Sequence, residues 1–235
     1  MGFLTRILRH PSTTGEADGG FASLGEEELR AHMGIRTYGV FELTDAIRPS
    51  YDLSIVPRQG FRHDQYVDPA NGEATPVIMA SVSRPSLLPA FFDLIDNLGN
   101  VVDVVLESSH TCDSGHEDLY REHIDVPVLK SVLWDFEDLL LNDGCTGIAV
   151  INPAKHQEVQ LDEHKMLIAY GAPLTRFEQT LIDDDVYPMK DIRFITEAEH
   201  VHSSSGRMYD EFQKLRMRLG MDGGRDDDDG DFAGA

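Results

Sequence analysis

Cysteine is almost missing from this chain: Cys112 and Cys145 are the only two in 235 residues, too few for a disulfide-stapled scaffold. No apolar run approaches the roughly 20 residues that a membrane-spanning helix needs. The opening stretch MGFLTRILRH has an apolar part too short and broken for a signal-peptide core, and Arg6 stands where a myristoylation signal carries Ser or Thr. These absences make the cytoplasm the expected compartment and exclude a membrane span. Lysine is scarce as well, with five residues, and Lys and Arg together number 20 against 42 acids, giving a formal charge of −22. Removing residues 221–235 takes away six aspartates and one arginine and still leaves −17. Such a field repels phosphate backbones and anionic membranes, so nucleic acid is excluded as a general partner. A phosphate loop, a dinucleotide fingerprint, an assignable nucleophile–base pair and a complete zinc-ligand spacing are all missing too.

What remains is a chain that is 41% hydrophobic, enough for a sizeable core. Residues 1–24 read as a flexible segment, because PSTTGEADGGFASL has little to bury; the acidic residues 221–235 read as a disordered tail. Residues 25–56 form an accessory element that opens with a short helix over GEEELRAHMG. Beyond residue 57, strand, turn and strand lead to a helix over RPSLLPAFFDLIDNLG, with Pro near its start and Gly99 as its stop. VVDVVLES is a buried strand, GHEDLYREH and VPVLKSVLWDFEDLLLNDG read as helix, and Trp134 reads as core or subunit contact, which leaves room for a homo-oligomer.

The second half runs in the same order. VDVVLESSHTC (102–112) and IRFITEAEHVH (192–202) align without a gap, so that Val102 meets Ile192, Glu107 meets Glu197, His110 meets His200 and Cys112 meets His202. VDPANGE resembles INPAKHQE, and Pro85 corresponds to Pro173. The expected architecture is therefore α/β, with α+β as the alternative: two duplicated strand–strand–helix–strand–helix units, 57–145 and 146–220, packed as one pseudo-twofold domain around a mixed sheet.

The candidate site lies at the two related strand ends. His200 and His202, two apart on a strand, project to one face and suit bidentate metal ligation. His110 and Cys112 have the same spacing, and Glu107 and Glu197 stand three residues before His110 and His200. The set His110, Cys112, His200, His202, Glu107 and Glu197 would hold zinc if the ends converge. The plainer alternative is a pair of strand-to-helix junctions, with Ser114 and Glu117 as a capping box, His164 in LDEHK exposed or locally paired, and Cys145 as a small residue filling a turn. HSSSGR before the last helix reads as a helix cap rather than an anion site. Two functions follow. The first is a non-enzymatic binding or regulatory protein with a protein or small-molecule partner and no cofactor. The second is a zinc- or iron-dependent hydrolase whose site is assembled from the two Glu/His ends.

Overall fold

The computed structural model describes residues 21, 24–70, 72–110 and 116–221; the segments read from sequence as a flexible N-terminus and an acidic tail lie largely outside them. In chain order the elements are α1 (Glu26–Met33), β1 (Thr37–Tyr38), β2 (Phe41–Glu42), β3 (Ile47–Pro49), β4 (Gly60–Val67), β5 (Ala74–Ser81), α2 (Arg84–Asp96), β6 (Val101–Ser108) and β7 (Glu117–Asp125). Then come α3 (Val126–Asp135), α4 (Glu137–Asn142), β8 (Thr146–Asn152), β9 (Gln157–Leu161), β10 (Met166–Tyr170), α5 (Thr175–Asp183), a 3₁₀ turn (Ile195–Glu197), β11 (His200–His202) and α6 (Gly206–Arg218).

Seven strands form one sheet in the order β4-β5-β10-β9-β8-β6-β7. The fold is mixed α/β, but every pairing in this sheet is antiparallel, not mixed as expected. Two helical crossovers do link strands that run in the same direction, α2 between β5 and β6 and the α3–α4 pair between β7 and β8. The β8–β9–β10 meander is inserted between β5 and β6, and β6 itself between β7 and β8. Each potential parallel neighbour is thereby separated, and the short loops of β4–β5 and β8–β9–β10 impose antiparallel pairing elsewhere.

Alternation along the strands sends Ile78, Ala80, Val102, Val104, Leu106, Ile148, Val150, Val159, Leu161, Leu167 and Ala169 to the main core. Leu88, Phe91, Ile95, Leu129, Leu133, Phe177, Phe212 and Leu215 from α2, α3, α5 and α6 meet them there. The reading of 84–98 holds because Ser83 and Pro85 start α2 and Gly99, at φ +118°, ends the turn that follows it. The opposite face packs Val77, Met166, Ile168 and Tyr170 against Ile192 and Phe194.

Residues 117–125 are a strand, not a helix. Leu119 and Arg121 pair with Leu106 and Val104, but Ile124 pairs with Val102, so β7 holds one more residue than β6 in that interval, with His123 at φ +55°. This bulge puts Leu119 and Ile124, five residues apart, on one face and conceals the two-residue period. Glu117 therefore starts a strand, and its expected capping partner Ser114 lies outside the described residues. Trp134, read as core or subunit contact, is 55% exposed and leans on Phe92.

The two aligned segments also part company. Residues 102–108 belong to β6, paired on both sides inside the large sheet. Residues 192–202 form a loop, the 3₁₀ turn and β11, whose partner is β3 in a separate two-stranded sheet. Tyr209 lies on a helix while Tyr120 lies on a strand. The twofold arrangement of equivalent units expected from the alignment is not what the strand order displays.

Candidate metal centre

Three elements meet at one end of the sheet. β11 pairs His200 with Pro49 and His202 with Ile47, and because side chains on a strand repeat every two residues, both rings leave the same side, with centroids 5.1 Å apart. The turn between β9 and β10 delivers a third imidazole. There Lys165 N–H bonds Asp162 O at 3.0 Å, Met166 N–H bonds Asp162 Oδ1 at 2.8 Å, and Lys165 adopts φ +62°. The turn lifts His164 to ring-centroid distances of 5.0 Å from His200 and 4.7 Å from His202. One ligating nitrogen from each of the three rings lies within 4.8 Å of the others.

The hydrogen bonds decide which nitrogen that is. His200 Nδ1 lies 2.8 Å from Ala198 O, and His202 Nδ1 lies 2.6 Å from Gly144 O. A carbonyl only accepts, so both rings carry hydrogen on Nδ1 and present a lone pair on Nε2 when neutral. Burial lowers the pKa of both, and the charge of the His164 imidazolium adds to the effect. His164 Nδ1 sits 2.9 Å from Asp162 Oδ2. Burial disfavours its charged form, but the Asp162 carboxylate, by charge and hydrogen bond, together with Glu163 outweighs that and raises its pKa. A carboxylate on the far nitrogen is the arrangement that orients a metal-binding imidazole and increases its basicity.

A second group of donors lies on the other side of Gly144. His110, just past β6, places Nε2 2.9 Å from Oδ2 of Asp143, whose side chain is fully buried, and Cys145 completes a set whose ligand atoms also fall within 4.8 Å of one another. Thr146 Oγ1 donates to Asp143 Oδ2 at 2.5 Å. Burial opposes ionisation of Asp143, but His110, the neighbouring Ser204 hydroxyl and Thr146 together lower its pKa. Burial raises the Cys145 thiol, partly offset by the Ser109 and Ser204 hydroxyls. Lys165 lies between the two groups, donating to Thr146 O at 2.7 Å, and burial brings its pKa down to about 8 against the pull of Asp143, Asp162 and Glu163.

Gly144 is what lets these elements close up. Its N–H bonds Ser203 O and Ser203 N–H bonds Ala46 O, both at 2.8 Å, and a Cβ at this position would run into the Ala46 carbonyl and meet Ser203 N at 3.0 Å.

Of the six residues expected at the site, His200 and His202 come together, and His110 reaches the adjoining group through Asp143. Cys112 lies outside the described residues. Glu107 stays on the sheet, where a Cβ on Gly147 would lie 3.0 Å from its Oε2; burial, then the charges of Asp118 and Glu158, push its pKa up to about 8. Glu197 ends the 3₁₀ turn, accepting from Phe194 N–H at 3.2 Å and from Arg62 Nη1 at 2.6 Å. Neither glutamate belongs to the histidine cluster among the described residues. Among the described residues, His164 joins His200 and His202, and Asp143 and Cys145 join His110. No protein-family model, no curated protein and no solved structure matches the chain.

Proposed function

We propose that the protein is a metal-dependent hydrolase, with zinc held by Nε2 of His164, His200 and His202. The observation that carries this reading is that one nitrogen from each of the three imidazoles lies within 4.8 Å of the others, while each Nδ1 has a fixed acceptor that leaves Nε2 to ligate. Three protein ligands with a fourth position open is the pattern of catalytic rather than structural zinc. Zinc bound there would supply a Lewis acid and a water acidified toward neutral pH.

The chain's own residues complete the arrangement. Glu163, next to His164, accepts from Ser109 Oγ at 2.9 Å, and its charge acts on all three imidazoles, which makes it the carboxylate we assign to take a proton from an attacking water. A narrow crevice beside His164 is lined by Phe41, Leu43, Leu87 and Phe194, with Glu42, Lys165, Arg58 and Arg193 as its charged residues, Arg193 facing Glu197 at 3.7 Å. The competing reading, a non-enzymatic binding protein, draws support from Trp134 on α3 and Met217 on α6, each 55% exposed.

The test is to strip the purified protein with a chelator, restore zinc, and follow hydrolysis of 4-nitrophenyl acetate and 4-nitrophenyl phosphate. Turnover that needs zinc and disappears in His202→Ala supports the hydrolase. Stoichiometric zinc uptake without turnover of either ester favours the binding protein instead.

A further inference from the structure

The group beyond Gly144 holds three donors of different chemistry that the hydrolase reading does not use. His110 follows β6, while Asp143 and Cys145, two residues apart, lie on the connection from α4 to β8. We propose that His110 Nε2, a carboxylate oxygen of Asp143 and Cys145 Sγ form a second metal site, for a thiophilic divalent cation such as zinc.

The polar atoms here are poorly served by the protein alone. Asp143 is 0% exposed and its Oδ1 accepts no hydrogen bond. His110 Nε2 is also buried and lacks a hydrogen bond of acceptable direction, although Asp143 Oδ2 is 2.9 Å away. Buried polar atoms normally find partners, and leaving them without one costs stability. A nitrogen and an oxygen at hydrogen-bond distance without hydrogen-bond direction are placed as two ligands of one cation would be, since bonds of about 2.0–2.1 Å to zinc bring tetrahedral donors to little more than 3 Å apart. His110 Nδ1 lies 3.4 Å from Ser204 Oγ, a hydroxyl able to accept its hydrogen and so leave Nε2 for the metal. A thiolate in the set selects zinc over magnesium or calcium, which prefer oxygen ligands. The burial that raises the Cys145 thiol is no obstacle, because coordination of the sulfur by the metal releases the thiol proton to solvent.

The two sites share one short piece of backbone. Asp143 and Cys145 serve the second, while the carbonyl of the intervening Gly144 orients His202 in the first. The second site nevertheless stands on its own donors and does not depend on the hydrolase reading.

Cobalt(II) titration of the chelator-stripped full chain separates the two. The wild type is expected to take up two equivalents and to develop a near-ultraviolet thiolate-to-cobalt band. Cys145→Ser should lose one equivalent and that band, Cys112→Ser should keep both, and His200→Ala with His202→Ala should lose one equivalent while keeping the band. If the serine variant fails to fold, zinc X-ray absorption on the wild type gives the same answer through a sulfur neighbour at about 2.3 Å. Uptake of a single equivalent without a thiolate band, a band that survives Cys145→Ser, or a zinc spectrum lacking sulfur would overturn the second site and leave the three-histidine centre standing. A thiolate band with no loss of cobalt in the double histidine variant would do the reverse.

Discussion

The two donor groups flanking Gly144 are built on opposite principles. In the three-histidine group each ring is fixed from behind, by Ala198 O, Gly144 O or Asp162 Oδ2, and the rings are only partly buried. In the group of His110, Asp143 and Cys145 the carboxylate is fully enclosed and His110 Nε2 stands 2.9 Å from it. Outward-anchored ligands can leave an open position for a substrate; an enclosed group with a charge at its centre is suited to holding structure. On the proposed reading, the position of the anchoring hydrogen bond, more than the count of ligand-type residues, would set a reactive site apart from a supporting one.

The severest way to break the comparison is to remove what both groups share. Gly144→Ala drives a methyl group into the Ala46 carbonyl and against Ser203, so β11 and the 143–145 segment must separate. Thermal unfolding is expected to register a loss of about 1–3 kcal/mol, and metal titration a fall in affinity at both sites. Unchanged stability would show that the close approach is not needed.

Next in size is removal of one ligand. His200→Ala should weaken metal binding at the three-histidine centre by more than about 100-fold, beyond the range seen for orienting partners, and leave the His110 group untouched. Equilibrium dialysis with zinc checks it; equal weakening at both sites would merge the two groups into one.

A smaller effect is expected behind His164. Asp162→Asn retains the shape but removes the charge that orients the ring, and should lower affinity at that centre about 10–100-fold. Competition with a chromophoric chelator measures this, and no change would reduce Asp162 to a turn-forming residue, the role its bond to Met166 N–H already gives it.

The mildest prediction concerns two carboxyl groups on the sheet, Glu107 on β6 and Glu158 on β9. Burial pushes Glu158 up to about 8, and burial with neighbouring carboxylates does the same for Glu107. With unfolded values near 4.5, the folded protein holds these protons more tightly than the unfolded chain. Their stabilising contribution is therefore fully present below pH 4.5 and is lost as pH rises through 8. The melting temperature should decline across this interval, and Glu158→Gln should flatten part of the decline. A variant with the same slope as the wild type would remove Glu158 from the account.

Parts of this molecule were legible before any coordinates. The Pro85 and Gly99 punctuation marked α2, and the His200–His202 spacing already implied two rings on one side of a strand. β7 was hidden by a bulge that replaced a two-residue period with a spacing of five. The antiparallel sheet was hidden because each helical crossover is split by strands inserted from elsewhere, a fact of strand order and not of local pattern. At the site, matching Glu107 with Glu197 suggested equivalent ligands, yet one lies on the sheet and the other caps a turn and pairs with Arg62. His164 escaped because it lies thirty-six residues before His200, and only the pairing of β11 with β3, beside the β9–β10 turn, brings them together. The one local sign was Asp162 two residues before it, the partner that a ligating histidine keeps.

The central claim, that His164, His200 and His202 hold one metal ion, is tested most directly by anomalous diffraction at the zinc edge from crystals grown with zinc. The account predicts a peak about 2.0–2.1 Å from all three Nε2 atoms, with the Nδ1 bonds to Asp162, Ala198 and Gly144 intact. The absence of a peak there, or a peak reached through any Nδ1, would contradict it.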